Sequence, residues 1–200
     1  RARAVEVLGG FDAELSADHL VEAAKDPADD VRQAAEDALL AQRPAAVADV
    51  LVARLASPSH RRIAQNLLVR VGADAIPALV AAAPNAPGKL ADVIASLLVE
   101  VGAEERLLAD LDDRDPRVRI SALIGLGVIS ATQHIGAIAS RLEDPMTVVR
   151  IQAAEVLGAL GDDAALEPLK KAFVSDPDMG VVATIEGALR RLTEDQPDAD

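Results

Sequence analysis

The chain has no cysteine, no tryptophan and no tyrosine, and only two phenylalanines among its 200 residues. Lack of cysteine removes disulfides and cysteine-bearing zinc or redox sites, and it fits a reducing compartment, with the cytoplasm as the expected location. Lack of aromatics, in a chain that is still 50% hydrophobic, means that small aliphatic side chains build the core, which favours closely stacked helices. A β-sandwich or barrel of this size would carry aromatic and β-branched alternation with Gly-rich turn pairs at short intervals, so an all-β fold is excluded. Basic charge is scarce too. Lys and Arg number 20, four of them Lys, against 33 Asp and Glu, for a net charge of −13 and a pI near 4.6. Repulsion from phosphate dominates at long range, which argues against nucleic acid or an anionic membrane surface and favours basic partners.

No charged residue falls between Arg119 and Arg141, a run long enough to cross a bilayer. It carries Ser121, Ser130, Thr132, Gln133, His134 and Ser140, and the repeat register below puts a turn in its middle, so membrane insertion is not expected. The chain begins at Arg1 within a helical pattern, a start compatible with an upstream signal or anchor.

Six times a turn-like segment leads into a helix of one pattern. The segments are Asp26-Pro27, Ser57-Pro58, Pro87-Gly88, Asp115-Pro116, Asp144-Pro145 and Asp176-Pro177. With Arg32, Arg61, Ala91, Arg119, Arg150 and Val182 set as equivalent, the seventh following position is always Leu: Leu39, Leu68, Leu98, Leu126, Leu157 and Leu189. The third following position is always Ala or Ile, and the eleventh includes Gly72, Gly102 and Gly161, where a helix C-terminus needs φ > 0. Earlier helices are predicted at about 16–25, 44–56, 74–83, 103–112, 131–143 and 163–174, with Ser16 and Asp74 as N-caps, Pro44 in a first turn and Asp162-Asp163 at a helix start. Arg1–Gly10 reads as the second helix of a truncated unit. The expected fold is all-α, an α-solenoid of stacked antiparallel helix pairs, as a single domain over 1–193 with an acidic flexible tail at 194–200.

These residues resemble the HEAT-repeat family, and more narrowly its short bacterial type, called PBS-lyase HEAT-like. The best instance runs from Asp144-Pro145 through Val149-Arg150-Ile151-Gln152-Ala153-Ala154-Glu155-Val156-Leu157-Gly158-Ala159-Leu160-Gly161-Asp162. The resemblance implies a polar ladder of Asp and Arg along the stack, assigned to Asp26, Arg32, Asp115, Arg119, Asp144 and Arg150. It implies breaks at the third unit, with Pro87 and Ala91, and at the last, with Val182. It also implies a long concave face lined by the second helices.

Residue patterns that mark catalysis or metal binding are sparse. His19, His60 and His134 have no metal-binding spacing, and a solvent-facing or capping role is expected for each. HEAT-like hydroxylases of the deoxyhypusine type carry His-Glu pairs as iron ligands, whereas here His is followed by Leu20, Arg61 or Ile135. Gly125-Leu126-Gly127-Val128-Ile129-Ser130 lacks the last glycine and the preceding strand of a dinucleotide fingerprint. The carboxylate pairs Asp29-Asp30, Glu104-Glu105, Asp112-Asp113 and Asp162-Asp163 read as capping and solubilising charge. No serine sits in a nucleophile elbow. The expectation is therefore no enzyme, no metal and no cofactor.

On each second helix, offsets three, six and seven from the anchor are core, so offsets two, five and nine lie on another side. From the middle units that side holds the candidate partner-binding residues Ile63, Asn66, Arg70, Val93, Ser96, Glu100, Ser121, Ile124, Val128, Gln152 and Glu155. Its apolar members read either as singly exposed side chains or as a contiguous binding patch. The expected function is a protein-interaction scaffold that binds a partner helix or extended segment in a concave groove, with basic partners favoured. Two alternatives are a cofactor-handling lyase subunit resembling phycobilin lyases and a regulatory soluble arm of a larger membrane or multidomain protein.

Overall fold

The computed structural model describes residues 3, 5, 9, 10 and 13–194. The truncated helix expected in Arg1–Gly10 therefore falls mostly outside the described residues, as does the tail beyond Glu194. Among the described residues the regular elements are all helical. They are α1 (Ala13–Ala23), α2 (Asp29–Leu40), α3 (Pro44–Arg54), α4 (Arg61–Val71), α5 (Ile76–Ala82), α6 (Lys89–Glu100), α7 (Ala103–Asp110), α8 (Pro116–Val128), α9 (Ile135–Ser140), α10 (Thr147–Leu160), α11 (Leu166–Ser175) and α12 (Met179–Glu194).

The chain divides into two compact units, Arg1–Ala103 and Glu104–Asp200. In the first, α1 pairs with α2, α3 with α4 and α5 with α6; α1, α3 and α5 make one row and α2, α4 and α6 another. In the second, α9 pairs with α10 and α11 with α12, while α8, α10 and α12 form the second-helix row. Each unit is thus a stretch of α-solenoid. The aliphatic offsets explain the stacking: Ala64, Leu67 and Leu68 on α4, Ile94, Leu97 and Leu98 on α6, and Ala153, Val156 and Leu157 on α10 are all buried. At the end of the second unit the pattern lapses, and Leu189 is only half-buried.

Local chemistry sets the helix ends. Gly72, Gly102 and Gly161 adopt φ of 69°, 70° and 69°, the left-handed conformation that lets a helix stop and turn. Pro44 occupies the first turn of α3, and the Asp115 carboxylate accepts the Arg117 N–H to cap α8. Asp162 likewise accepts the Ala164 N–H. Ser16 differs from expectation: α1 starts earlier, so Ser16 lies buried inside it and accepts a hydrogen bond from Gln42 Nε2 at 2.8 Å. Asp74 also makes no capping bond and sits in a 3-10 turn, Gly72–Ala75. The helix expected at 131–143 is split, with 3-10 turns Thr132–His134 and Arg141–Glu143 on either side of α9. Ser130, at φ 53°, makes the turn inside the uncharged run between Arg119 and Arg141.

The helical stretch Arg61–Asn85 is long and apolar enough to cross a membrane by length and composition. It breaks at Gly72, and α5 turns away to pack on α3 and α6.

The close stacking of α10 on α12 depends on a glycine. A Cβ at Gly158 on α10 would lie 2.7 Å from Ala188 Cβ and 2.8 Å from Ala188 Cα on α12, while one at Gly136 meets nothing within 4 Å. Gly136→Ala is expected to stabilise by about 0.4–1 kcal/mol by restricting the unfolded chain. Gly158→Ala is expected to destabilise by about 1–3 kcal/mol by forcing α10 and α12 apart. Urea melts of the two variants would read opposite shifts in midpoint, and stabilisation by both would contradict this close approach.

Candidate functional site

Each anchor arginine holds the end of the preceding helix. Arg32 Nη1 donates to Asp26 O at 2.8 Å, Arg61 Nε to Leu55 O at 2.8 Å, Arg119 Nη1 to Asp113 O at 2.8 Å and Arg150 Nη1 to Asp144 O at 3.0 Å. All four reach a carbonyl six residues earlier. A guanidinium has enough donors to serve that carbonyl and a carboxylate together.

In the second unit two arginines also cross to the next repeat. Arg119 Nε and Nη2 donate to Asp144 Oδ2 and Oδ1, both at 2.7 Å, with the side chains 9% and 2% exposed. Arg150 makes the same fork to Asp176, at 2.7 and 3.1 Å. Asp144 and Asp176 each also accept a backbone N–H, from Met146 and Asp178 at 2.9 Å. Burial pushes the Asp144 carboxyl up, but the Arg119 hydrogen bonds, the Met146 N–H and nearby positive charge outweigh it, so it is held below the usual carboxylate range. The Arg150 hydrogen bond holds Asp176 down as well, and Arg119 and Arg150 are raised by these same partners.

The other ladder residues are placed differently. Arg32 pairs with Asp29 on its own helix, because Ser57 occupies the position where the next repeat would offer a carboxylate. Asp26 accepts the Ala28 N–H, and Asp115 serves Arg117, which lowers its carboxyl. Asp176 was not assigned to the ladder from sequence, although its Asp-Pro turn was visible; Arg150 and Asp176 are 26 residues apart, as Arg119 and Asp144 are 25.

The candidate partner-binding residues lie off the core in both units. In the first, Ile63 and Val93 are half-buried, and Asn66, Arg70, Ser96 and Glu100 are exposed. In the second, Ser121, Ile124, Val128 and Gln152 are half-buried and Glu155 is exposed. Arg70 is engaged with Glu36 at 2.6 Å and Asp37 at 3.6 Å. At one end of the α2, α4 and α6 row, Asp30, Gln33, Ala34 and Asp37 of α2 line a cavity of about 620 Å³ with Gly9 and Gly10.

Of the histidines, His19 is exposed and His134 is half-buried against Glu104, 2.6 Å away. His60 departs from the expected solvent-facing or capping role. It is 9% exposed, makes no side-chain cap bond, and contacts Glu22, Lys25, Ser57 and Ser59. Those residues are far apart in sequence or look like ordinary turn serines, so nothing in their spacing marks the cluster. Among the described residues no three His, Asp or Glu side chains converge to hold a metal ion.

Comparison with known proteins fits this geometry. Residues 104–190 match the family described as HEAT repeats. A stretch of 57 residues is 46% identical to deoxyhypusine hydroxylase of Candida glabrata, covering 28% of this chain and 17% of that protein. The chain thus matches about a sixth of the length of that relative. Among solved structures, an engineered protein aligns over 96% of this chain and 89% of its own at 18% identity, with a TM-score of 0.46. A designed armadillo repeat protein in complex with the peptide (KR)4 aligns over 96% and 91% at 16% identity, with a TM-score of 0.47. The hydroxylase match corrects the expectation that the chain is no enzyme, because the curated protein sharing this stretch is one. The family match adds that residues 104–190, which hold the buried Arg–Asp forks, are similar to HEAT repeats.

Proposed function

We propose that the chain is a protein-binding scaffold that takes a basic helix or extended segment along its second helices. The narrower identification with the short bacterial PBS-lyase HEAT-like type belongs to the same proposal and rests on the run from Asp144 to Asp162. The observation that carries the binding reading is that half-buried apolar residues and carboxylates share the second-helix row within each unit. Ile63 and Val93 in the first unit share their row of helices with Asp30, Asp37 and Glu100, and Ile124 and Val128 in the second share theirs with Glu155. Apolar contact supplies affinity, while the −13 net charge steers basic partners.

The test uses a fluorescent amphipathic Leu/Lys peptide and two double variants, Ile63→Asp with Val93→Asp and Ile124→Asp with Val128→Asp. Each adds negative charge, so purely electrostatic attraction would hold or strengthen. Binding along the helix face would instead desolvate the new carboxylates, at several kcal/mol, or about 100-fold in affinity. Anisotropy titrations with circular dichroism alongside are expected to show weaker binding by at least one folded variant. Unchanged or tighter binding by both would overturn the proposal.

A further inference from the structure

The cluster around His60 lies in the first unit and plays no part in the binding face beyond sharing Ile63 and Asn66 with the wall of a neighbouring cavity. His60 Nε2 meets the Glu22 carboxylate, and Lys25 Nζ lies 3.1 Å from the other Glu22 oxygen and 3.2 Å from Nε2. On the other side of the ring, Nδ1 is 2.9 Å from Ser57 Oγ and 3.1 Å from Ser59 Oγ. An ionised carboxylate only accepts hydrogen bonds. Lys25 Nζ also only donates, so it cannot bond an Nε2–H and serves the other Glu22 oxygen instead; the carboxylate is the nearer of the two groups at Nε2 and sets the proton there, which leaves Nδ1 to accept a serine O–H. The hydrogen bonds from His60 and Lys25 hold the Glu22 carboxyl below its usual range, keeping it an acceptor. The result is a carboxylate, an imidazole and a hydroxyl in line, with ring nitrogens in the reverse order from serine proteases.

The two serines are not equivalent. Ser57 is half-buried, and its carbonyl accepts the His60 and Arg61 N–H groups at the start of α4. Ser59 is exposed and lines a cavity of about 530 Å³ together with Lys25, Arg32, Arg62 and Asn66; Asp26 and Glu36 line it too, with their carboxylates engaged by the Ala28 N–H and by Arg70. That volume is within the range of small-molecule sites. Arg62 is exposed and has no ion-pair partner among the described residues. The wall therefore offers a guanidinium and an amide N–H beside a hydroxyl within hydrogen-bonding reach of a base.

We propose that Ser59 is a nucleophile toward small carboxylic esters bearing an anionic group, with His60 as its general base, Glu22 as a positioning residue and Arg62 holding the anion. Ser59 Oγ bonds to the ester carbonyl carbon as its proton passes to His60 Nδ1. The carbon–alkoxide bond then breaks, and the leaving alcohol takes that proton. Water attacks the acyl-serine, gives its proton to Nδ1 and releases the acid, and the proton returns to Ser59. Ester and water give acid and alcohol, with no other reactant required.

The test treats the whole chain with a fluorophosphonate and maps the adduct by peptide mass spectrometry. A parallel assay compares turnover of p-nitrophenyl hemisuccinate and p-nitrophenyl acetate. The expected adduct is on Ser59 and is lost in Ser59→Ala. The labelling rate is expected to fall at least about 100-fold in His60→Gln, the scale of general-base assistance. Glu22→Gln changes an exposed side chain and keeps the test alive should His60→Gln fail to fold; it is expected to slow labelling, with Glu22→Asp restoring part of the rate. The hemisuccinate is expected to turn over faster than the acetate, with the preference lost in Arg62→Ala. Labelling no faster than at Ser140, an exposed serine of the other unit, would overturn the proposal. So would an adduct on Ser57, an unchanged rate in folded His60→Gln or, should that variant not fold, in Glu22→Gln, or a preference for the acetate.

Discussion

Arg119→Ala is expected to destabilise the second unit by about 3–5 kcal/mol, the loss typical when one member of a buried ion pair is removed. The size follows from what stays behind. Asp144, with its side chain 2% exposed, would keep its Met146 N–H but lose both guanidinium bonds, and Asp113 O would lose its donor. Arg106→Ala is the comparison. Arg106 pairs with Asp110 one turn away and is 62% exposed, a setting where such pairs contribute about 0.3–0.5 kcal/mol. Urea unfolding followed by circular dichroism would measure both, and equal midpoints would show that the Arg119–Asp144 fork does not stabilise the unit.

Acid sharpens that comparison. The folded-state carboxyls of Asp144 and Asp176 lie below their usual values. They therefore bind protons less readily folded than unfolded. The stability they contribute is present above about pH 4, the unfolded value, and is lost as pH falls through the depressed folded value. In Arg119→Ala burial, one N–H and the charge of Arg141 remain to act on Asp144, so the group is easier to protonate and the variant loses less on acidification. The gap between wild type and variant is expected to narrow below about pH 4. A gap independent of pH would mean that Arg119 acts through the Asp113 and Arg114 carbonyls alone.

The helix pairs were legible because packing here repeats a simple rule. Offsets three, six and seven from each anchor all fall on one face of a helix, whereas on a strand offsets six and seven would point to opposite sides, and Gly72, Gly102 and Gly161 mark where those helices stop. The first helices were less legible. α9 breaks into 3-10 turns and Ser16 lies inside α1, because neighbouring contacts, such as the Gln42 amide on Ser16, decide those positions and leave no periodic trace. The ladder was half legible. An arginine's presence shows in the sequence, but its partner depends on which residue the next turn presents, so Arg119 finds Asp144 whereas Arg32, facing a turn with Ser57, stays with Asp29. The His60 cluster was not legible, because Glu22 and His60 are 38 residues apart and meet only through the stacking of α1 on α3 and the turn before α4.

Removing Asp144–Gly161 is expected to unfold the second unit, while removing one full period, Ala131–Gly161, is expected to leave a shorter folded unit. The first deletion takes away α10, which packs on both α8 and α12, yet keeps its partner α9. The apolar faces of α8, α9 and α12 then lose their shared neighbour, and each repeat in such arrays is stable only against the next. The second deletion removes α9 and α10 together and joins Ser130 to Asp162, both at the turn between repeats. α8 would then face α12, and Arg119 would meet Asp176, the carboxylate that now receives Arg150. A restored fork predicts that Arg119→Ala in the shortened chain again costs about 3–5 kcal/mol, as expected of a buried pair. Circular dichroism and urea melts of both deletions decide the matter. A helical, cooperatively melting Asp144–Gly161 deletion, or an unfolded full-period deletion, would show that the repeat is not the unit in which this stack is built.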